Sequence, residues 1–224
     1  MTAFRVVKQI EAVVFDVGET LVDETRMWQD WADHLGVPRL TFMAALGAFI
    51  ARGESHREPF DLFRPGMNIN AEIDKLRGEG KADPFDASDL YPDALDCLRA
   101  LAADGYWLGV AANQPVEAAR IVRSFGIPLE LVGMSDEWGL HKPDPAFFTR
   151  IATELALPPA SIAYVGDRLD NDVRPAKAAG MTSVFVRRGP WGWIQAGRTS
   201  PPEADVVVES LAELPEVLRS LRAA

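Results

Sequence analysis

The chain has 224 residues, 48% hydrophobic and 25% charged, which suits a globular protein of one or two domains and argues against general disorder. Its 33 acidic and 23 basic residues leave a formal charge of −10, which repels nucleic-acid backbones and anionic lipid, and the nearest basic patch, Arg187-Arg188, is too small to reverse this. No apolar run reaches the ~20 residues of a membrane span, Met1 to Glu11 lacks a signal peptide's apolar stretch and cleavage site, and the lone Cys97 excludes an intrachain disulfide or a cysteine-rich metal site.

The expectation is a cytoplasmic protein, monomeric or homodimeric, that binds neither nucleic acid nor membrane. An anionic substrate would have to be neutralised locally, by a cation or a buried lysine.

In chain order, the first apolar run is Glu11 to Phe15 (EAVVF), short, valine-rich and ended by Asp16. From Thr25 to Asp89 no strand pattern appears, but helical ones do. They are Glu24 to Leu35 (with Met27, Trp28, Trp31 and Leu35), the apolar Leu40 to Ala51, and a weaker Asn68 to Leu76. The links Arg52 to Pro59 and Gly78 to Pro84 are rich in charge, Gly and Pro. Beyond them, strand-like runs at Trp107 to Ala112, Leu129 to Met134, Ser161 to Val165, Thr182 to Val186 and Asp205 to Val208 alternate with amphipathic stretches. The latter are Pro92 to Ala103, Pro115 to Phe125, Pro145 to Leu155, Asp170 to Ala179 and Leu211 to Leu221.

Near-continuous apolarity marks strands buried on both faces, and the alternation predicts a doubly wound α/β fold with a parallel sheet. The predicted division is an α/β core of residues 1–22 and 89–224, with a small all-helical subdomain inserted at 23–88.

Four segments carry chemistry. In Val13-Val14-Phe15-Asp16-Val17-Gly18-Glu19-Thr20-Leu21, an acid ends a buried strand, at the sheet edge where open α/β sheets bind ligands. A capped strand end followed by a Gly turn explains it equally well. Asn113 ends the next strand, and alone it reads as a turn or cap residue before Pro115. In Gly139-Leu140-His141-Lys142-Pro143-Asp144-Pro145, a lysine before proline is held extended, and Pro145 suits the start of a helix. A fixed positive charge at the mouth of the sheet would result. In Tyr164-Val165-Gly166-Asp167-Arg168-Leu169-Asp170-Asn171-Asp172, three aspartates make an oxygen-rich cluster suited to Mg²⁺. Helix-start acids are the plainer explanation for Asp170, but not for Asp167.

Taken in order, strand ends offering Asp, Asn, Lys and Asp resemble the four motifs of the haloacid dehalogenase (HAD) superfamily, and the helical insert resembles its small cap domain. The resemblance covers the chain from about Glu11 to the final helix. It implies a Rossmann-like core and a Mg²⁺-dependent, phosphatase-like hydrolase acting on a small phosphorylated substrate. Asp16 would be the nucleophile, forming a phospho-aspartate, with Lys142 offsetting the phosphoryl charge. Mg²⁺ would be held by Asp16, the Gly18 carbonyl and Asp167, and Asp172 would orient Lys142 or a metal-bound water. Asn113 and Lys142 would hold the substrate, and Thr20 would fix the first loop beside them.

Two departures stand out. The superfamily's phosphatases usually carry a second Asp, the general acid and base, where this chain has Gly18, and a Ser or Thr where it has Ala112. Glu19 is expected to point away, while Asp23 or Glu24, at the hinge into the helical insert, could swing in. Three alternatives follow: a weakened phospho-ligand or partner-binding protein, a metal-free dehalogenase, or a phosphonate-cleaving enzyme with an imine-forming lysine such as Lys75 or Lys81. Trp28, Trp31, His34, His56, Arg57 and Phe60 are candidate pocket residues, with Trp28 and Trp31 read as packing and His56 and Arg57 as nearer the opening. Trp191 and Trp193 are placed on a loop beyond a strand.

Overall fold

A computed structural model describes residues 10–79, 85–197 and 203–223. Residues 1–9 and Lys81 lie outside the described residues. Strand β1 (Ala12–Phe15) leads into four helices, α1 (Thr25–Leu35), α2 (Arg39–Ala51), α3 (Glu58–Phe63) and α4 (Ile69–Gly78). After α5 (Ala94–Ala103) come β2 (Trp107–Ala112), α6 (Glu117–Arg123), β3 (Leu131–Met134), the one-turn α7 (Ser135–Trp138) and α8 (Pro145–Leu155). Strand β4 (Ile162–Gly166) is followed by a wide helical turn at Leu169–Val173 and α9 (Arg174–Ala178). Strand β5 (Thr182–Val186), α10 (Gly189–Gln195), β6 (Val206–Val208) and α11 (Leu214–Ala223) complete the described chain.

The six strands form one parallel sheet in the order β3-β2-β1-β4-β5-β6. Valine-rich runs make these strands because both faces are covered. In β1, Val13 and Phe15 enter one core cluster and Ala12 and Val14 the other, as the two-residue period of a strand requires.

The connections cross from β1 to one side of the sheet and then return to β4 on the other. This makes β1 the switch point, beside which open sheets leave a crevice at their carboxyl edge. Register levels the strand ends there: Phe15 stands opposite Val110 of β2 and Val165 of β4. Asp16 N donates to Val165 O at 2.9 Å, so residues 16, 113 and 167 leave the sheet from one edge.

The helical insert has its own apolar centre, with Trp28, Ala32, Phe42, Leu46, Ile50 and Phe60 buried together. Helix α1 stops at Gly36, whose φ of 68° is left-handed, a backbone that glycine adopts without steric cost. The structure departs from expectation in three places. Helix α3 occupies part of a stretch read as a link, its Pro59 and Phe60 drawn inward by the insert's core. Trp191 and Trp193 lie on helix α10 and not on a loop, because Trp191 packs into that same core. Lys142 does not end a strand: β3 stops at Met134, and the lysine follows α7 and the Gly139 turn. Among the described residues no single helix is long and apolar enough to cross a membrane.

Candidate active site

Charged side chains are gathered where the sheet register brings the strand ends together. Asp16, Lys142, Asp167 and Asp172 are 7%, 4%, 1% and 0% exposed, a degree of burial that charged groups rarely reach unless paired. Lys142 Nζ lies 2.8 Å from Asp16 Oδ1 and 2.6 Å from Asp172 Oδ1. The other Asp172 oxygen accepts from Arg168 N at 3.0 Å. Beneath the ammonium lies the buried Tyr164 ring, 5.5 Å from Nζ, and Tyr164 Oη donates to Ala111 O at 2.7 Å.

Burial alone would lower the Lys142 pKa, but the carboxylates of Asp16 and Asp172 outweigh it and hold the ammonium well above its ordinary range. Burial pushes the Asp172 carboxyl up to about 6, against the pull of Lys142. A lysine between two carboxylates thus satisfies most of the charge here.

Asp167 is the exception. Its Oδ2 is buried without a hydrogen-bond partner. Burial raises its pKa well above the carboxylate range, and Asp172, Asp16 and Glu19 add to the rise. Carboxylate oxygens of Asp16, Asp167 and Asp172 lie within 4.8 Å of one another. A buried carboxylate with no partner, facing other hard oxygens, fits a divalent cation such as Mg²⁺. In the neighbouring turn the backbone bonds run to the carbonyls of Val17 and Val22.

The remaining predicted residues take different positions. Asn113 presents its whole amide to the lysine segment: Nδ2 donates to Lys142 O at 2.9 Å, and Oδ1 accepts from Lys142 N at 2.8 Å. Both its polar atoms therefore shape that segment. Thr20 Oγ1 is buried and makes no hydrogen bond. The first loop is secured instead by Arg188, which donates to Thr20 O at 3.2 Å and forms a two-pronged pair with Asp93 at 3.0 and 2.6 Å.

Glu19 does turn away, accepting from Tyr91 Oη at 2.5 Å and from Glu24 N at 3.2 Å. Burial raises its carboxyl to about 6, partly offset by Tyr91. Glu24, by contrast, leans over Gly18. Burial pushes its carboxyl up to about 8, reinforced by Glu19 and Asp16 and opposed by Trp28 and Arg168.

Sequence reasoning passed over Arg168, the cation directly after Asp167. Its side chain pairs with Asp170 at 2.8 Å and lies over the Trp191 ring at 5.1 Å. A lone arginine within an acidic run was the available signal.

The candidate pocket residues mostly pack. Trp28 and Phe60 are buried in the insert's core, with Trp31 packed against it. His34 bonds Glu72 at 2.8 Å, and the exposed Arg57 bonds Asn70 at 3.2 Å. His56 is wedged between the rings of Trp28 and Trp191, at 6.1 and 6.0 Å. Trp193 is exposed. Lys75, a possible imine-forming lysine, is exposed and pairs with Glu72 at 3.3 Å, unlike the desolvated amines that form imines.

Fold and site together define a doubly wound α/β protein whose sheet edge is equipped to meet an anion with a buried lysine and a cation-ready carboxylate cluster. The chain belongs to the haloacid dehalogenase-like hydrolase family, whose profile matches residues 10–180; it is a hydrolase. It is 30% identical to the glyceraldehyde 3-phosphate phosphatase of Methanopyrus kandleri, over 95% of this chain and 98% of that one. Among solved structures it resembles a HAD phosphatase from Thermococcus onnurineus (TM-score 0.60, 24% identity, 93% and 98% of the two chains). It also resembles an L-2-haloacid dehalogenase from Xanthobacter autotrophicus (TM-score 0.62, 21% identity, 94% and 99%). The fold is thus shared by proteins of different chemistry, and the site has to discriminate between them.

Proposed function

We propose that this protein is a Mg²⁺-dependent phosphatase acting on a small phosphorylated metabolite, with Asp16 as its nucleophile. The observation that carries this reading is the orphaned Asp167 Oδ2 beside an Asp16–Lys142–Asp172 array. A metal-free dehalogenase has no use for a third buried carboxylate without a partner. The phosphatase name of the Methanopyrus relative, matched along nearly its whole length, supports the same choice.

The Asp16 carboxylate attacks phosphorus, the bond to the leaving oxygen breaks, and water then releases phosphate from the phospho-aspartate, dividing one hard displacement into two easier ones. Lys142 carries positive charge to the transferring group. Asp172 fixes Lys142, and Asn113 fixes the backbone that carries it. Mg²⁺, held by Asp16, the Gly18 carbonyl and Asp167, would neutralise charge on the phosphoryl oxygens. The cap reading of residues 23–88 belongs to the same proposal.

The test is phosphate release from a panel of small monoesters, glyceraldehyde 3-phosphate among them, with Mg²⁺ and with EDTA. Release is expected only with Mg²⁺, and Asp16→Asn should lower it by roughly 10⁴-fold or more. Failure of every ester to exceed the Asp16→Asn background overturns the reading.

A further inference from the structure

We infer that the Glu24 carboxyl is the general acid and base of the phosphatase reaction, seated in the space that a side chain on residue 18 would fill. The inference rests on the phosphatase reading above and adds to it the residue that moves the protons. A Cβ placed on Gly18 would stand 2.2 Å from Glu24 Oε1 and 2.7 Å from Cδ, well inside van der Waals contact. Residues 18 and 24 therefore compete for one seat, and glycine at 18 leaves it to Glu24.

The other nearby carboxyls have parts of their own: Asp167, whose Oδ2 has no hydrogen-bond partner, is the one assigned to the cation. Asp172 holds Lys142 and Arg168 N, and Asp16 is the nucleophile. Glu19 is tied to Tyr91 Oη and Glu24 N. The other hinge acid, Asp23, accepts from Thr25 N at 2.8 Å. Beside Glu24 on the next helical turn is the Trp28 indole, whose Nε1 is buried without a well-formed hydrogen bond.

Direction matters as much as distance. The attacking and leaving oxygens of a phosphoryl transfer stand roughly in line, so the leaving oxygen departs away from Asp16. Glu24 immediately precedes α1, and its carboxyl comes from the side of the helical insert. Lys142, Asp167 and Asp172 come from the sheet edge.

In the first step the Asp16 oxygen–phosphorus bond forms and the phosphorus–leaving oxygen bond breaks, and the Glu24 proton passes to that oxygen to give the free alcohol. In the second, water attacks phosphorus and its proton returns to Glu24. The acyl oxygen of Asp16 leaves as carboxylate, and inorganic phosphate is released. Protons balance over the cycle with no other reactant.

The experiment measures leaving-group release in single turnovers, comparing p-nitrophenyl phosphate, whose phenolate departs without a proton, with an alkyl monoester. In Glu24→Gln, alcohol release from the alkyl ester is expected to fall by roughly 10²–10⁴-fold. Release of p-nitrophenolate should fall far less and stop after one equivalent, with the phospho-enzyme accumulating in intact-protein mass spectra. Moving the carboxyl to residue 18, by Gly18→Asp with Glu24→Ala, should recover alkyl-ester release relative to Glu24→Ala alone. Equal losses on both esters, or none, with Asp16-dependent phosphate release intact, would overturn the role of Glu24 alone. Wild-type protein with no Asp16-dependent release would overturn the phosphatase reading and this assignment with it.

Discussion

The sheet edge and the helical insert bury their polar groups in opposite ways. At the edge, four ionisable side chains are almost wholly enclosed, and three of them neutralise one another through Lys142. In the insert the centre is aromatic: Trp28, Phe42, Phe60 and Trp191 contact one another ring against ring. Two of its ion pairs, Arg39 with Asp33 and Arg52 with Glu54, stay at the exposed surface, and His56 sits between the Trp28 and Trp191 rings. Chemistry is thus concentrated in the edge, where low dielectric strengthens each charge. At the root of the insert stands one further carboxyl, Glu24, over Gly18.

Substitutions can break this contrast at decreasing cost. Lys142→Met leaves Asp16 and Asp172 buried without their cation and should cost about 3–5 kcal/mol in urea denaturation at neutral pH. A cost below about 1 kcal/mol would mean that the edge is not held by that lysine. Trp191→Ala, opening a cavity where α10 meets the insert, is expected to cost a similar 3–5 kcal/mol. It should do so without altering the leaving-group dependence that identifies Glu24.

A smaller effect comes from His56, whose pKa burial lowers to about 4, with Arg168 and Arg57 reinforcing it. An unfolded histidine takes up a proton as pH falls through about 6.5, while the folded one resists until about 4, so stability is lost as pH falls across that window. The loss is at most about 3 kcal/mol. Glu19 and Asp172, with raised carboxyls, contribute in the opposite sense between about 4 and 6. The measurement is therefore the difference between wild type and His56→Gln at pH 5 and pH 7, with the variant expected to lose less at pH 5. Arg39→Ala, removing an exposed pair, should leave the urea midpoint within error.

Much of the architecture was legible in one dimension. Five of the six strands fall within the apolar runs that marked them and β4 extends one residue further, to Gly166, while α1, α2 and α4 match the helical patterns of the insert. Burial on both faces and one-sided burial leave different periodicities in the chain. Asp16, Lys142, Asp167 and Asp172 stood out less through any one segment, each of which has a plainer explanation, than through the order of the four segments along the chain.

The sequence by itself determined where the strands run and which residue types meet at their ends, since both depend on neighbours a few positions apart. Only the tertiary structure decided that Trp191 completes the insert's core, that Asn113 spends its amide on the lysine segment, and that Glu24 fills the space over Gly18. Each of those depends on which side chain occupies a given volume once distant segments have packed, and close packing admits one occupant where the local pattern would allow several.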